Sequence, residues 1–267
     1  MENNSWLHRL LLEPKIIGVD VDSPERMVAH REILEEKPVL KNVFHDFHHQ
    51  IMRLDEKYFD GGEGLRIELG AGVCPIKESY PDVLSTDVVP SDGLDRVIDA
   101  QNMDVDDCSV RAIYGQNCFH HFPDPSRFFE ELQRVLVPGG GAILIEPYHG
   151  PVGSFLFKRL FSSEGFDKHA DSWVTEVDGP MNGANQALSY LVFKRDRAKF
   201  EKKFDRLEIV CDKPLNNYIR YLLSGGLNFR CLAPRVLERP IRFVELLLKP
   251  LSRLLALHYI IVIRRKS

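Results

Sequence analysis

The chain has 267 residues, 44% of them hydrophobic and 28% charged, and a formal net charge of -4 at pH 7. That length and apolar content bury a real core, as one large domain or one domain with an appended cap, and exclude a disordered chain. Five cysteines without a CxxC pair argue against a disulfide framework and a zinc cluster, and fit a reducing, cytoplasmic setting.

The N-terminal stretch "MENNSWLHRLLLEPK" has only a three-leucine run and no basic leader, so it does not read as a signal peptide. From Ser23 to about Tyr58 the pattern is helical. Ser23 caps a helix with Pro24 at its first position, Pro38 interrupts it, and Leu40, Phe44, Phe47 and Ile51 then recur at helical spacing. Residues 1–60 therefore read as an N-terminal helical cap, followed by a domain over 61–267. Within the cap, His45 and His49 stand at i and i+4, but the glutamate of HExxH is missing and no third ligand is evident. No metal is expected, and exposed histidines or a helix beside the acceptor are the expected uses.

After the turn "DGGEG" the chain alternates short apolar runs with helical stretches. Strands are expected at "LRIEL" (65–69), "VLSTDVV" (83–89), "DRVIDA" (95–100), "VRAIYG" (110–115) and "AILIEP" (142–147), most of them apolar on both faces as buried parallel strands are. Asp124 and Pro125 open a helix with Phe128, Leu132, Val135 and Leu136 on one stripe, and "PGGG" at 138–141 is expected to end it. Repeated βαβ units of this kind imply a doubly wound α/β sheet, with its ligand outside the carboxyl ends of the strands.

Residues 148–189 have weak periodicity and read as a lid loop. "LEIV" (207–210) and "HYIIVIRR" (258–265) read as two more strands around a leucine-rich insertion at 212–257. Charged residues and a proline break the run at 241–257, which falls short of the roughly 20 apolar residues of a membrane span. A core-packed helix pair is expected there in preference to an interfacial helix. Residues 190–267 hold 18 Lys and Arg against 7 Asp and Glu. A basic end of this kind faces either the acidic body of the protein or an anionic partner, such as a phosphorylated substrate or a membrane surface.

The stretch "IELGAGVCP" carries the chemistry. Gly70, Ala71 and Gly72 begin a nucleotide loop, but the third glycine of GxGxxG is replaced by Pro75, which has no N–H for a pyrophosphate. Glu68, two residues before Gly70, would repel phosphate and attract a cation. A nucleoside with a positive group and no phosphates suits such a loop, and S-adenosylmethionine (SAM) has these features. Asp87 lies 19 residues after Glu68, near the roughly 20-residue offset of a ribose-binding acid, with Val88 beside it. Asp99, at the third strand end, can accept from the adenine amino group while the Ala100 N–H reaches the ring.

Taken together, "IELGAGVCP", "TDVVP", "VIDAQNM" and "NCFHHFPDPSRFFEELQRVLVPGGGAILIEP" resemble the class I SAM-dependent methyltransferases, nearest their ubiquinone/menaquinone methyltransferase-like subgroup. The resemblance covers about residues 63–150. It implies a Rossmann-like, mostly parallel seven-stranded sheet ending in an antiparallel hairpin. It also implies SAM held by Glu68, Gly70, Gly72, Asp87, Asp99, Ala100 and Gln116. Two departures stand out: Cys74 occupies the place of a third small residue, and the acid common at the start of the fourth strand is not evident immediately before Val110.

Methyl transfer to a hydroxyl needs alignment and a proton acceptor. His120, with its neighbour His121, follows the fourth strand, and His149 follows the fifth; His120 and His149 are the candidate bases, against a packing role for the first. The basic, apolar insertion favours a small or amphipathic acceptor, glycosylated or lipid-linked, methylated at oxygen, over a nucleic acid. It also leaves room for peripheral contact at the inner face of a membrane. A non-catalytic scaffold on the same fold and a nucleotide-dependent oxidoreductase are the alternatives, the latter opposed by Pro75 and Glu68.

Overall fold

The computed structural model describes residues 10–161, 164–176, 179 and 184–267. The first nine residues and eight positions of the expected lid (162, 163, 177, 178 and 180–183) lie outside this description.

Two helices open the described chain. Ser23 caps α1 (Pro24–Glu36), its hydroxyl accepting from the Arg26 N–H at 3.3 Å. Pro38 then starts α2 (Pro38–Tyr58), where a proline costs no hydrogen bond. Strands β1 (Leu65–Leu69), β2 (Leu84–Asp87), β3 (Arg96–Val97) and β4 (Val110–Gln116) follow. Helix α3 (Pro125–Val135) is capped by Asp124, whose Oδ1 accepts from Ser126 N at 3.0 Å, and leads into β5 (Leu136–Pro147). Beyond it lie α4 (Pro151–Arg159), α5 (Leu188–Tyr190), which continues as a π-turn, α6 (Arg197–Lys203) and β6 (Leu207–Pro214). Helices α7 (Tyr218–Ser224), α8 (Glu238–Leu247) and α9 (Ser252–Leu255) precede β7 (His258–Arg265).

Among the described residues the strands form one seven-stranded sheet in the order β3-β2-β1-β4-β5-β7-β6. The first five pair in parallel, and β7 runs antiparallel between β5 and β6. This is the doubly wound sheet with a C-terminal hairpin that the sequence implies. The period of two along each strand divides the core. Ala142 and Leu144 of β5 and Ile261 and Ile263 of β7 face α3 and a cluster of phenylalanines that includes Phe129, Phe193, Phe200 and Phe204. Ile143, Ile145, Ile260 and Val262 face the other way, onto Leu40, Phe47 and Ile51 of α2. Helix α2 thus supplies one of the two layers on the sheet.

A buried ion cluster fastens that layer. Asp55 of α2 has no exposed surface and lies 2.7 Å from Arg111 Nη1, 2.9 Å from Arg66 Nη2 and 3.0 Å from the Tyr114 hydroxyl. The three partners come from β1 and β4.

Four sequence expectations are corrected. The third strand is two residues long instead of six, because Arg96 and Val97 are the exposed edge of the sheet, with β2 alone to pair with. The "PGGG" run does not separate α3 from the next strand but lies inside β5, which already begins at Leu136. A Cβ at Gly141 would collide with the Ile263 carbonyl and the Phe59 ring, so glycine is what lets β7 and α2 approach. The segment at 148–189 contains a true helix, α4, on a Pro151 start. Finally, the leucine-rich insertion is not a core-packed helix pair. The buried positions of α8 are Glu238 and Glu245, and most of its leucines face outward. Among the described residues, no helix is long and apolar enough to cross a membrane.

Candidate functional site

The carboxyl ends of β1, β2 and β4 converge on the glycine loop. Gly70 and Gly72 both have positive φ, +64° and +53°, a conformation that costs any other L-residue about 1–2 kcal/mol. A Cβ on Gly70 would stand 2.7 Å from the Cys118 Cβ. The loop is sewn to β2: Ala71 N donates to the Thr86 carbonyl at 3.0 Å, the Thr86 hydroxyl donates to the Glu68 carbonyl at 2.7 Å, and Gly72 N points at Asp87 Oδ2 at 3.4 Å. Asp87 also accepts from Val89 N, while Val88 is about half exposed beside it.

Glu68 is placed differently from the expectation of an open cation-facing carboxylate. It is only 2% exposed, and its Oε2 accepts from Ile76 N at 2.7 Å, latching the turn that follows Pro75. Burial, helped by the charges of Asp87 and Glu78 and opposed by the Ile76 N–H, pushes its carboxyl up to about 8. Pro75 therefore sits at the start of a short 3-10 turn, Ile76–Glu78, whose first free N–H is taken by Glu68.

Asp99 lies two residues past the end of β3 and is exposed, with Oδ1 accepting from Gln101 N at 2.8 Å; Ala100 is buried behind it. Gln116 ends β4. Its Oε1 and the Oδ1 of Asn117 are buried without a hydrogen-bond partner among the described residues, and Asn117 has φ +52°. Buried polar atoms are almost always satisfied, so these two acceptors beside the glycine loop are open to a donor from water or a ligand.

The histidines divide sharply. His120 is buried between two carboxylates: Nδ1 lies 2.6 Å from Glu146 Oε2 and Nε2 lies 3.3 Å from Glu164 Oε2. Burial lowers the affinity of the ring for a proton, but Glu146 and Glu164 outweigh it and raise the imidazole to about 10. His120 is thus held as a cation with both nitrogens engaged. Its neighbour His121 is pushed down to about 3 by burial and by that cation. His149, after β5, is also neutral at pH 7, lowered to about 4 by burial, with Lys168 and Lys194 adding to it. Its Nδ1 has no partner among the described residues, and its ring sits among Tyr148, Tyr190 and Tyr259 at centroid distances of 4.7, 4.9 and 5.4 Å.

No local sequence pattern singles out Glu146 or Glu164. Glu146 also accepts from Cys118 N and Phe119 N, so it organises the whole β4 exit. The signal available for it was a single acid inside the otherwise apolar run "AILIEP". Of the helix α2 histidines, His48 is fully buried instead of exposed, and His49 bonds to the Tyr80 hydroxyl at 2.6 Å. The ligating atoms of His45, Cys74 and Glu78 lie within 4.8 Å of one another, as do those of His120, His121 and Glu164. A partner set for His45 therefore exists, but it comes from the glycine loop and the turn after it, not from its own helix.

Residues 83–144 match the family model described as a methyltransferase domain. No curated protein matches the chain. Among solved structures, the chain is similar to geranyl diphosphate C-methyltransferase from Streptomyces coelicolor, at 12% identity and a TM-score of 0.47 over 96% of this chain and 89% of that one. It is similar also to YcgJ from Bacillus subtilis, at 16% identity and a TM-score of 0.46 over 82% and 99% of the two chains. A third is phosphoethanolamine N-methyltransferase 2 from Haemonchus contortus, solved with S-adenosylmethionine, at 14% identity and a TM-score of 0.46 over 82% and 52%. The match to a methyltransferase domain makes the chain an enzyme, a SAM-dependent methyltransferase with SAM as its cofactor.

Proposed function

We propose that the protein transfers the methyl group of SAM to a hydroxyl of an amphipathic acceptor, with His149 taking the proton. The observation that carries this is the unpartnered Nδ1 of a neutral imidazole after β5, beside the strand end that bears Gln116. An imidazole with a free nitrogen can accept a proton; one held as a cation between two carboxylates, as His120 is, has no lone pair with which to accept one.

SAM supplies a methyl group already activated by its sulfonium. The residues that would hold it are the Gly70–Gly72 loop, Asp87 with Val88 for the ribose, Asp99 with Ala100 for the adenine, and Gln116 with Asn117 for the methionine end. The orphaned acceptors on Gln116 and Asn117 suit its ammonium group. His120, through Glu146, fixes the turn from Cys118 to Phe119 and so acts as a positioning residue. The acceptor would enter under α1 and α2, the segment from 148 to 189 and the insertion from 212 to 257. The basic, apolar character of that insertion supports a lipid-linked or glycosylated metabolite. The "ELQRVLVPGG" stretch supports a place near the ubiquinone/menaquinone-like subgroup.

The direct test incubates the protein with SAM labelled on the methyl group and a lipid-and-glycolipid extract, then analyses the labelled product. A product stable to base and cleaved as an ether supports oxygen transfer. Label recovered on nitrogen or carbon removes the need for His149 as proton acceptor. SAM that binds by calorimetry without turnover would instead favour the scaffold reading.

A further inference from the structure

Helix α8 is built inside out. Its two acids, Glu238 and Glu245, point into the protein. Both oxygens of Glu245 are held by Arg220, through its backbone N at 2.8 Å and its Nε at 2.7 Å, and both oxygens of Glu238 accept from Asn42 Nδ2 at 3.0 and 2.8 Å. Arg220 is in turn bound to Asp46 of α2 at 2.7 Å, so this inward polar face is locked to the body. The outward face carries the apolar residues. Val236 is 78% exposed, Phe243 61%, Leu246 61% and Leu247 63%. Leu251 continues the surface toward α9, and Phe155 of α4, 64% exposed, lies on the helix that packs against α9. A monomeric protein rarely leaves so large a contiguous apolar surface in water without a use for it.

The charges on this face choose the occupant. Arg235, Arg239, Lys249 and Arg253 are all exposed, and none forms a salt bridge among the described residues. From residue 232 to 256 the chain has no other acids than the two buried ones. The face is therefore aliphatic and cationic with no balancing anion of its own. A second copy of the same face, related by a twofold axis, would bring these cations together. A lipid surface with anionic headgroups accepts both components, the leucines into the acyl boundary and the cations at the phosphates.

We infer that α8, α9 and the exposed side of α4 form a docking surface for an anionic lipid bilayer, on which the protein lies without spanning it. The surface adjoins the candidate site. Leu257, just past α9, accepts from Tyr148 N at 2.7 Å, and Ser154 of α4 donates to the His149 carbonyl at 2.9 Å. Docking would thus bring the segment that carries His149 toward the headgroup level, where an amphipathic acceptor resides. This last point rests on the proposed function; the docking itself does not.

The test is flotation of the full-length chain with vesicles of phosphatidylcholine alone and of phosphatidylcholine with phosphatidylglycerol, at low and high salt. Binding at least about tenfold stronger to the anionic vesicles, weakened by salt, is expected. The double variant Phe243→Glu/Leu247→Glu should lose at least about tenfold of that binding, and Arg235→Gln/Arg239→Gln about as much. Both alter exposed side chains, and each must keep the wild-type melting curve and calorimetric SAM affinity. Equal binding to both vesicle types, binding to neither, or wild-type binding in both variants overturns the inference. A wild-type dimer in ultracentrifugation that Phe243→Glu/Leu247→Glu converts to monomer also overturns it, by showing that a second copy covers the face. SAM calorimetry without vesicles separates the readings: vesicle binding with no SAM affinity defeats the proposed function alone, and the reverse defeats docking alone.

Discussion

The Nδ1 of His120 lies 2.6 Å from Oε2 of Glu146, while the other oxygen of the same carboxylate accepts from the backbone N–H groups of Cys118 and Phe119 at 3.1 and 2.9 Å. One side chain on β5 therefore fixes both the ring and the backbone turn at the end of β4. That turn carries Cys118, the residue against which Gly70 packs. The cofactor loop and the buried ion pair are mechanically one unit.

Replacing Glu146 by Gln should destabilise the fold by about 3 kcal/mol, because it removes the nearer of the two carboxylates that pair with a buried imidazolium and leaves it Glu164 alone at 3.3 Å. The pH dependence has a definite sign. The pKa of His120 is raised in the folded state, so its contribution is complete below about 6.5 and is lost as pH climbs through about 10. Urea denaturation of wild type between pH 6 and pH 10 should reveal that decline, and Glu146→Gln should flatten it.

His149→Gln should lower kcat about 10²- to 10⁴-fold with SAM affinity unchanged. Because burial holds this imidazole down at about 4, the wild-type rate should show no inflection near the ordinary histidine value of 6.5. A rate profile that bends there, or a His149→Gln enzyme at full speed, would remove His149 from the role.

Gly70→Ala has two costs, a positive φ and a Cβ pressed onto Cys118. We expect SAM affinity to fall by about tenfold or more, in line with about 1–2 kcal/mol of backbone strain plus displacement of the turn. Asp99→Ala, at an exposed position, should weaken SAM without moving the melting temperature. Calorimetry on both variants decides; unchanged affinity in the pair would mean that the cofactor lies elsewhere.

Glu68 sets a slope of opposite origin. Folded, it retains its proton up to about 8, whereas an ordinary glutamate loses it near 4.5. The folded state binds more protons over that interval, so stability should decline as pH rises through it. Thermal melts of Glu68→Gln should lack that component. A variant with the same slope as wild type would show that the carboxylate is not the titrating group.

Asp55→Ala should cost about 3–5 kcal/mol, since Arg66 and Arg111 would lose their shared partner and the Tyr114 hydroxyl its acceptor. Chemical denaturation gives the value; a loss below about 1 kcal/mol would mean that water replaces the carboxylate without penalty.

The strand-helix rhythm is legible because β4 and β5 are largely apolar runs, β1 alternates Leu65, Ile67 and Leu69 with polar residues, and α3 has its own cap and stripe. The edge strand β3 is shorter than its sequence suggests, since "DRVIDA" has strand composition but only β2 to pair with. Glu146 and Asp55 were invisible as site and anchor because their partners stand 26 and 56 residues away in the chain, a separation that no local pattern encodes. For α8 the leucine spacing was readable but its direction was not. Hydrophobic periodicity defines a face, and only Arg220 and Asn42, on other helices, determine that the acids turn inward.

The place of β7 has a kinetic consequence. The edge of β5 that it seals runs through Ala142, Ile143, Leu144 and Ile145, all fully buried in the finished sheet. Its partner residues, Ile263 back to Ile260, come about 120 residues later, and contacts so distant form late. Until they do, β5 offers a bare aliphatic ladder to any other chain. Folding of this protein is therefore a race between an intramolecular strand and an intermolecular one, and dilution during refolding should favour the first.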